Sequence, residues 1–262
     1  MEWRLLRSGP GGAAWNMALD EALWRSFPKT GRPILRLYAW SEPAVSIGYA
    51  QRAAELDLRE CSRLELSLVR RPTGGRAVLH DREVTCGLIH PLEGLGGVEA
   101  SHRSIATALA LGLQTLGLAA EVGEGGKRVG ACGSGACFEA PSHSELTVQG
   151  RKVAGMAQVR DQSALLEQCS FPLELDYEVL AAVMRPDGLE GEEFISLLQE
   201  RAAGLREFGP LEVADLERAL IAGFILHFGA ELEESGPTAE ELALAGELAS
   251  EKYGDPRWNF RR

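Results

Sequence analysis

Apolar and polar positions change period several times along this chain, and each change marks an element. Trp3 to Arg7 suits a short strand and runs into the turn-rich SGPGG. AAWNMALDEALWRSF then spaces Met17, Leu19, Ala22, Leu23 and Trp24 as an amphipathic helix does. PILRLYAW and AVSIGYA are β-like runs parted by Ser-Glu-Pro, and LELSLVRR is a strand that stops at Pro72, which lacks the N–H a ladder needs. RAVLHDREVTCGLIH predicts two strands meeting at His80–Asp81. Residues 101 to 118 place Ile105, Leu109, Leu113 and Leu116 on one helical face, with Ser101 as the N-cap. The glycine-rich stretch 123 to 135 reads as a loop. SELTVQGRKVAGMAQVR predicts a hairpin about Gln149–Gly150, and ALLEQCSFPLEL a further strand. Beyond Asp176 the segments 176–184, 191–203, 212–228 and 238–252 are helical, broken at Gly209–Pro210 and Gly236–Pro237.

Strands and helices are thus mixed up to Asp176 and helices follow. The pattern predicts an α+β fold with a mixed, largely antiparallel sheet. Residues 1–176 form its core, and 177–262 a helical C-terminal segment packed on that core as one domain. The most apolar run, from Ile105, is interrupted by Gly112, Gln114, Thr115 and Gly117. It is a core helix, since a membrane span needs roughly 20 mostly apolar residues. MEWRLLRSGPGG has no apolar signal core, so a cytoplasmic protein is expected.

A net charge of −11 argues against a nucleic-acid partner, which would ask for a basic footprint. The positive charges are nevertheless clustered, at Arg70, Arg71, Arg76 and Arg82, and again at Arg151, Lys152 and Arg160. Such clusters suit a basic mouth for an acidic partner or an anion, or else only a solvated strand edge. Five cysteines in a reducing compartment do not make a disulfide framework, and the count is odd. Cys132 and Cys137 supply half of a zinc site at most. No second tight pair accompanies them, and His80, His90, His102, His143 and His227 are scattered, so no metal is expected.

Two stretches carry candidate chemistry. In RRPTGGRAVLHD, residues 70 to 81, Gly74–Gly75 permits close approach of main-chain N–H groups to a ligand, and the arginines add charge-assisted bonds. The stretch is neither a Walker loop nor a dinucleotide fingerprint. His80–Asp81 resembles half of a triad, but without a matching serine motif it reads rather as a loop His beside a turn-capping Asp. In the second stretch, Cys137 is followed by Lys152 just past the predicted hairpin turn. If the chain folds back there, the ammonium favours thiolate over thiol and can move a proton to a leaving group. The alternative is a small buried cysteine and a surface lysine.

NMALDEAL (16–23), RRPTGGRAVLHD (70–81), CFEAPS with ELTVQGRKVAGMAQVR (137–160) and EKYGDPRWNF (251–260) occur in one order. Together they resemble the lipoate and biotin protein ligase superfamily. Within it the chain is most similar to octanoyl-[acyl-carrier-protein]:protein N-octanoyltransferases of the LipM type, from about Trp3 to Arg262. The resemblance implies a biotin/lipoate protein ligase-like catalytic domain with residues 1–176 as acyltransferase core and a tunnel for an octanoyl chain. Related ATP-dependent ligases typically have a third glycine where Arg76 stands and lack a cysteine at 137; both features here match the octanoyltransferases. His143 departs from the aromatic residue expected there.

The implied reaction moves octanoyl from the phosphopantetheine thioester of acyl carrier protein to a lysine of a lipoyl domain or glycine cleavage H protein. Cys137 would be the nucleophile and Lys152 its partner, with no ATP and no bound cofactor. Arg71, Thr73, Gly74, Gly75, Arg76, His80, Gly155 and Ala157 would bind substrate. Main-chain N–H groups near Gly74–Gly75 or Gly155 are the oxyanion candidates. Apolar residues of GLIH (87–90) and AGMA (154–157) would line the slot, and the clustered arginines would form a docking rim. The competing readings are an ATP-dependent lipoate-protein ligase, an amidotransferase passing octanoyl between lipoyl domains, and a non-catalytic carrier-binding module.

Overall fold

Residues 2–123, 145–184 and 191–262 are described in the computed structural model. The glycine-rich stretch from residue 124 onward, with Cys132, Cys137 and His143, lies outside them. β1 (Glu2–Gly11) outruns the predicted Trp3–Arg7, because a register shift between Arg7 and Gly9 lets it continue past Pro10. α1 (Ala13–Thr30) ends where Gly31, at φ 62°, turns its N–H back to the Phe27 carbonyl. β2 (Ile34–Trp40), β3 (Ala44–Ile47), α2 (Leu58–Arg63), β4 (Ser67–Arg70), β5 (Val78–His80) and β6 (Glu83–Pro91) follow.

α3 (Val98–Thr115) begins at Gly97 and not at Ser101. Ser101 is buried one turn inside, where its hydroxyl donates to the Val98 carbonyl at 2.9 Å. β7 (Ala120–Val122), β8 (Leu146–Val148) and β9 (Arg151–Lys152) make a small antiparallel sheet. Gln149 and Gly150 join β8 to β9 at φ 51° and 78°, the left-handed pair that a two-residue hairpin turn requires. The predicted hairpin is therefore present but short. After Val153 and Ala154 the chain leaves it and enters the large sheet as β10 (Gly155–Arg160), paired with β11 (Ala164–Pro172).

α4 (Tyr177–Val183), α5 (Glu192–Arg201), α6 (Val213–Phe228), α7 (Ala239–Leu248) and α8 (Pro256–Asn259) supply the C-terminal helices. Between α6 and α7 lies β12 (Glu231–Glu234), which helical periodicity does not foretell. The large sheet runs β10-β11-β6-β2-β1-β12, antiparallel in its first three pairings and parallel in the last two. A second sheet, β4-β3-β5, is also mixed. No helix among the described residues is long and apolar enough to cross a membrane.

The central strands are buried on both faces, which is why they read as unbroken apolar runs. Leu35, Leu37, Val84, Cys86 and Leu88 face α3 and α6, while Ile34, Tyr38, Ile89 and Leu166 face α1 and α7. α3 and α6 come close enough that a methyl on Gly223 would sit 2.1 Å from the Ala108 carbonyl. A third core joins β3 and β5 to α2, α4 and α5.

The C-terminal segment is tied to the sheet by more than packing. Arg4 of β1 and Glu241 of α7 form a buried pair, with Nη1 to Oε1 at 2.6 Å and Nη2 to Oε2 at 2.9 Å. Burial alone would raise the Glu241 carboxyl, but bonds from Arg4 and the Thr238 N–H outweigh it and hold it below the usual carboxylate range. A carboxylate whose pKa falls on folding stabilises above its unfolded value and loses that contribution as pH drops through the folded one. Glu241→Gln should therefore cost roughly 2 kcal/mol at neutral pH, by loss of charge-assisted bonds. In thermal melts the gap to the parent should narrow below about pH 4.3, the ordinary value for Glu.

Candidate active site

The loop between β4 and β5 meets α1, β2, β3, β10 and β11 around a pocket. Met17, Trp40, Val78, Met156, Ala157 and Cys169 give it apolar walls. Tyr38, Ser46, Arg71, His80, Gln168 and Ser170 also reach it, yet their polar atoms are engaged with one another or with buried partners.

Two networks account for this. In the first, the Ser46 hydroxyl lies 2.7 Å from His80 Nε2, and His80 Nδ1 lies 2.8 Å from Glu83 Oε1. The same Glu83 oxygen accepts from Trp40 Nε1 at 2.9 Å and from Thr85, and its second oxygen accepts from the Ser170 hydroxyl at 2.6 Å. The His80 ring stacks on Trp40 with centroids 3.9 Å apart. With Glu83 accepting from Nδ1, a neutral imidazole would present Nε2 as acceptor to the Ser46 hydroxyl. In the second network, Asp20 of α1 accepts from Arg36 Nη1 at 2.7 Å, Tyr38 at 2.9 Å and Gln168 Nε2 at 2.7 Å. Gln168 in turn accepts from the Thr73 hydroxyl at 2.8 Å. Burial, and then the Asp20 charge, push the Tyr38 phenol well above its ordinary range, so it remains a donor.

Arg71 wraps the loop that follows it. Nη1 donates to the Ser46 carbonyl at 2.9 Å, and Nη2 to the carbonyls of Gly74 and Arg76 at 2.6 and 2.7 Å. Gly75 sits at φ 85°, and a Cβ there would come 2.9 Å from Arg71 Nη2. Gly48 crosses beneath, and a Cβ on it would fall 1.9 Å from the Gly75 carbonyl oxygen. Arg70 is fully buried: Nη1 donates to the carbonyls of Gly48 and Gln51, both at 2.6 Å. Its backbone N–H donates to Asn259 Oδ1 at 2.8 Å, and its carbonyl accepts from Trp258 Nε1 at 2.8 Å.

These contacts correct several expectations. Arg70 and Arg71 cannot form a docking rim, because both guanidinium groups are buried against backbone carbonyls. Arg82 is exposed but paired with Glu174. His80 belongs to β5, not to a loop, and its carboxylate partner is Glu83, while the adjacent Asp81 is exposed. Leu88 and Ile89 of GLIH fill the two cores instead of the pocket; of AGMA, Gly155, Met156 and Ala157 do line it.

Of the predicted site residues, Arg71, His80, Gly155 and Ala157 line the pocket, and Thr73, Gly74, Gly75 and Arg76 form the loop at its wall. Lys152 is not among the described lining residues. It is buried on β9, with Nζ 2.7 Å from Glu145 Oε1. Cys137 lies outside the described residues. Ser46, Gly48, Glu83 and Gln168 escaped the reading of the sequence; NMALDEAL did contain Asp20. No three His, Cys, Asp or Glu side chains among the described residues gather as a metal site requires.

The family model described as the lipoyl protein ligase A/B catalytic domain matches residues 12–225. An octanoyltransferase LipM of Kyrpidia tusciae is 42% identical, with 99% of each chain covered. Another, of Brevibacillus brevis, is 37% identical over 100% of this chain and 99% of its own. A solved lipoate-protein ligase A bound with ATP is similar at a TM-score of 0.85 and 29% identity, covering 99% of both chains. A lipoate protein ligase of Thermoplasma acidophilum, described with its E2 lipoyl domain, gives 0.85 and 29% over 99% of this chain and 96% of its own.

The crossing at Gly48 and Gly75 yields a paired test. Gly48→Ala should destabilise by about 1–3 kcal/mol, because a backbone oxygen must move. Gly74→Ala, where nothing lies within 4 Å of the added carbon, should melt close to the parent. Equal melting temperatures for the two variants would contradict the close crossing.

Proposed function

The chain belongs to the lipoyl protein ligase A/B catalytic-domain family, and within it we propose that it transfers an octanoyl group to a protein lysine through a thioester on Cys137. The observation that carries this reading is the pocket beside the RRPTGGR loop. Its polar side chains are bound to one another, so it offers a hydrocarbon chain an apolar surface. Burying such a chain is worth about 0.8 kcal/mol per methylene. Full-length likeness to octanoyltransferases supports the acyl group and the reaction class.

The donor is the phosphopantetheine thioester of acyl carrier protein. The Cys137 thiolate attacks its carbonyl, the carbon–sulfur bond to the carrier breaks, and the carrier thiolate takes a proton from the Lys152 ammonium. The neutral amine of a lysine on a lipoyl domain or glycine cleavage H protein then attacks octanoyl-S-Cys137. Its proton passes to Lys152 as the Cys137 thiolate leaves. The enzyme returns to its starting state and an amide remains. Exchanging thioester for thioester is nearly balanced, and thioester to amide is downhill, so ATP has no role. Two half-reactions also mean that carrier and acceptor need not bind together. The work belongs to lipoate biosynthesis in the cytoplasm.

One observation favours a second reading, an ATP-dependent lipoate-protein ligase: the solved relatives at TM-scores of 0.85 are ligases, one of them bound with ATP. Intact mass spectrometry after mixing with octanoyl-carrier protein, without ATP, separates the two. The parent and Cys132→Ala should each gain one octanoyl group, and Cys137→Ala none. Lipoyl-adenylate made from free lipoate and ATP, with Cys137 dispensable, would establish the ligase. Loading only from an octanoylated lipoyl domain would establish the amidotransferase, and no loading from either donor a binding module.

A further inference from the structure

Lys152 does not stand alone. The register of the β8–β9 hairpin places Thr147 opposite Lys152, so Glu145, two residues before Thr147, lies diagonally across on the same face. Its carboxylate is 2.7 Å from the ammonium, and the two side chains are only 13% and 7% exposed. A lone charge so enclosed would be disfavoured, and each member relieves that cost for the other. Two further hydrogen bonds hold the strand itself. The Val153 N–H reaches the Leu146 carbonyl at 3.0 Å, and the Ala203 N–H reaches the Lys152 carbonyl at 3.0 Å.

A second pair packs nearby. His102 of α3 lies 2.8 Å from the fully buried Glu167 of β11, through Nδ1 and Oε1. Burial lowers the His102 pKa, but the bond and charge of Glu167 more than offset this, while Lys152 lowers it and Glu145 raises it. Both carboxylates and the Lys152 ammonium are thus close enough to act on one imidazole. From α5, packed on β9, Arg201 adjoins Ala202, the bridge partner of Lys152. Arg151, on the other face of β9, is held by the Ala202 carbonyl and by Glu207 at 2.7 Å.

We propose that Glu145 is a positioning residue for acyl transfer, holding Lys152 charged and fixed so that it can give a proton to the departing carrier thiolate. This rests on the function proposed above. Lys152 releases one proton in the first half-reaction and regains one in the second; Glu145 exchanges none. Its carboxylate sets the starting state, an ammonium and not an amine, at the pH where the thioester is attacked.

The test is the pH dependence of enzyme acylation in Glu145→Gln and Glu145→Asp. In the Gln variant the alkaline limb should move down by about one pH unit, the tenfold change that 1.4 kcal/mol of lost charge stabilisation represents. kcat above the parental limb should fall by up to about tenfold while KM for the octanoyl donor stays within about threefold, the pattern of an interaction that acts on the chemical step. Glu145→Asp should restore the limb, with an intermediate rate. A Gln variant that folds and keeps the parental limb overturns the proposal.

Competitive acetylation of Lys152 across pH, read by peptide mass spectrometry, needs no octanoyl transfer. The parent should label slowly until well above neutrality, and the Gln variant should label earlier. Should the Gln variant not fold, the parent decides alone: rapid labelling at pH 7 overturns the proposal. If labelling shifts in the variant while the parent transfers no octanoyl group, the function falls and only the hold of Glu145 on the Lys152 charge stands. If the parent transfers octanoyl while limb and labelling both stay put, the positioning role falls.

Discussion

The structure depends on one buried carboxylate. Asp20 and Arg36 are both fully shielded from water, and a charge pair in that position survives only when every remaining lone pair and N–H is matched. Here they are. Asn16 accepts from Arg36 through its backbone carbonyl and its side-chain oxygen, both at 3.0 Å, and Ser8 accepts from Nε at 3.0 Å. Tyr38 and Gln168 complete the carboxylate. Gly87 passes so close that any Cβ would come 2.7 Å from Asp20 Oδ1. Helix α1, three strands of the large sheet and, through Gln168, the Thr73 loop are fixed by this single hub.

The same accounting explains how a pocket can be rimmed by arginine, histidine, glutamine and serine and still suit an alkyl chain. A polar group that already has its partners presents its carbon atoms to the cavity. The pocket's apolar character is therefore a property of the hydrogen-bond network around it, and of Glu83 and Asp20 in particular. Neither carboxylate lines the pocket, and each anchors side chains that do.

Much of the scaffold was legible. β2, β6 and β11 announce themselves as apolar runs, the Gln149–Gly150 turn as a hairpin, and α3 by its spacing. β12 was not, because Glu-Leu-Glu-Glu offers only Leu232 to the core; backbone pairing to β1 makes it a strand. α2 is six residues long, yet its start could have been read from Asp57, whose Oδ1 accepts from the N–H groups of Arg59 and Glu60. Ser101 misled because a serine hydroxyl bonds to a helix carbonyl one turn back as readily as it caps. At the site, the motifs gave the loop and the histidine, but not its acid. Asp81 is adjacent in sequence, whereas Glu83 begins the strand after the bend and reaches the Nδ1 atom. Pairing across strands and bends leaves no local signature, so Ser46, Glu83 and Gln168 were invisible until the sheet brought them together.

The bonds from Asn259 and Trp258 to Arg70 span 189 and 188 residues of chain. During synthesis from the N-terminus, the strand that leads into the RRPTGG loop therefore emerges long before the groups that complete it. Arg70 must wait, its main-chain N–H and carbonyl lacking those two partners, until Trp258 and Asn259 have left the ribosome. A nascent chain stalled just short of that point would hold the strands of its large sheet, but a loop without its last anchor. The loop beside the pocket would then gain its final anchor only after Trp258 and Asn259 have emerged.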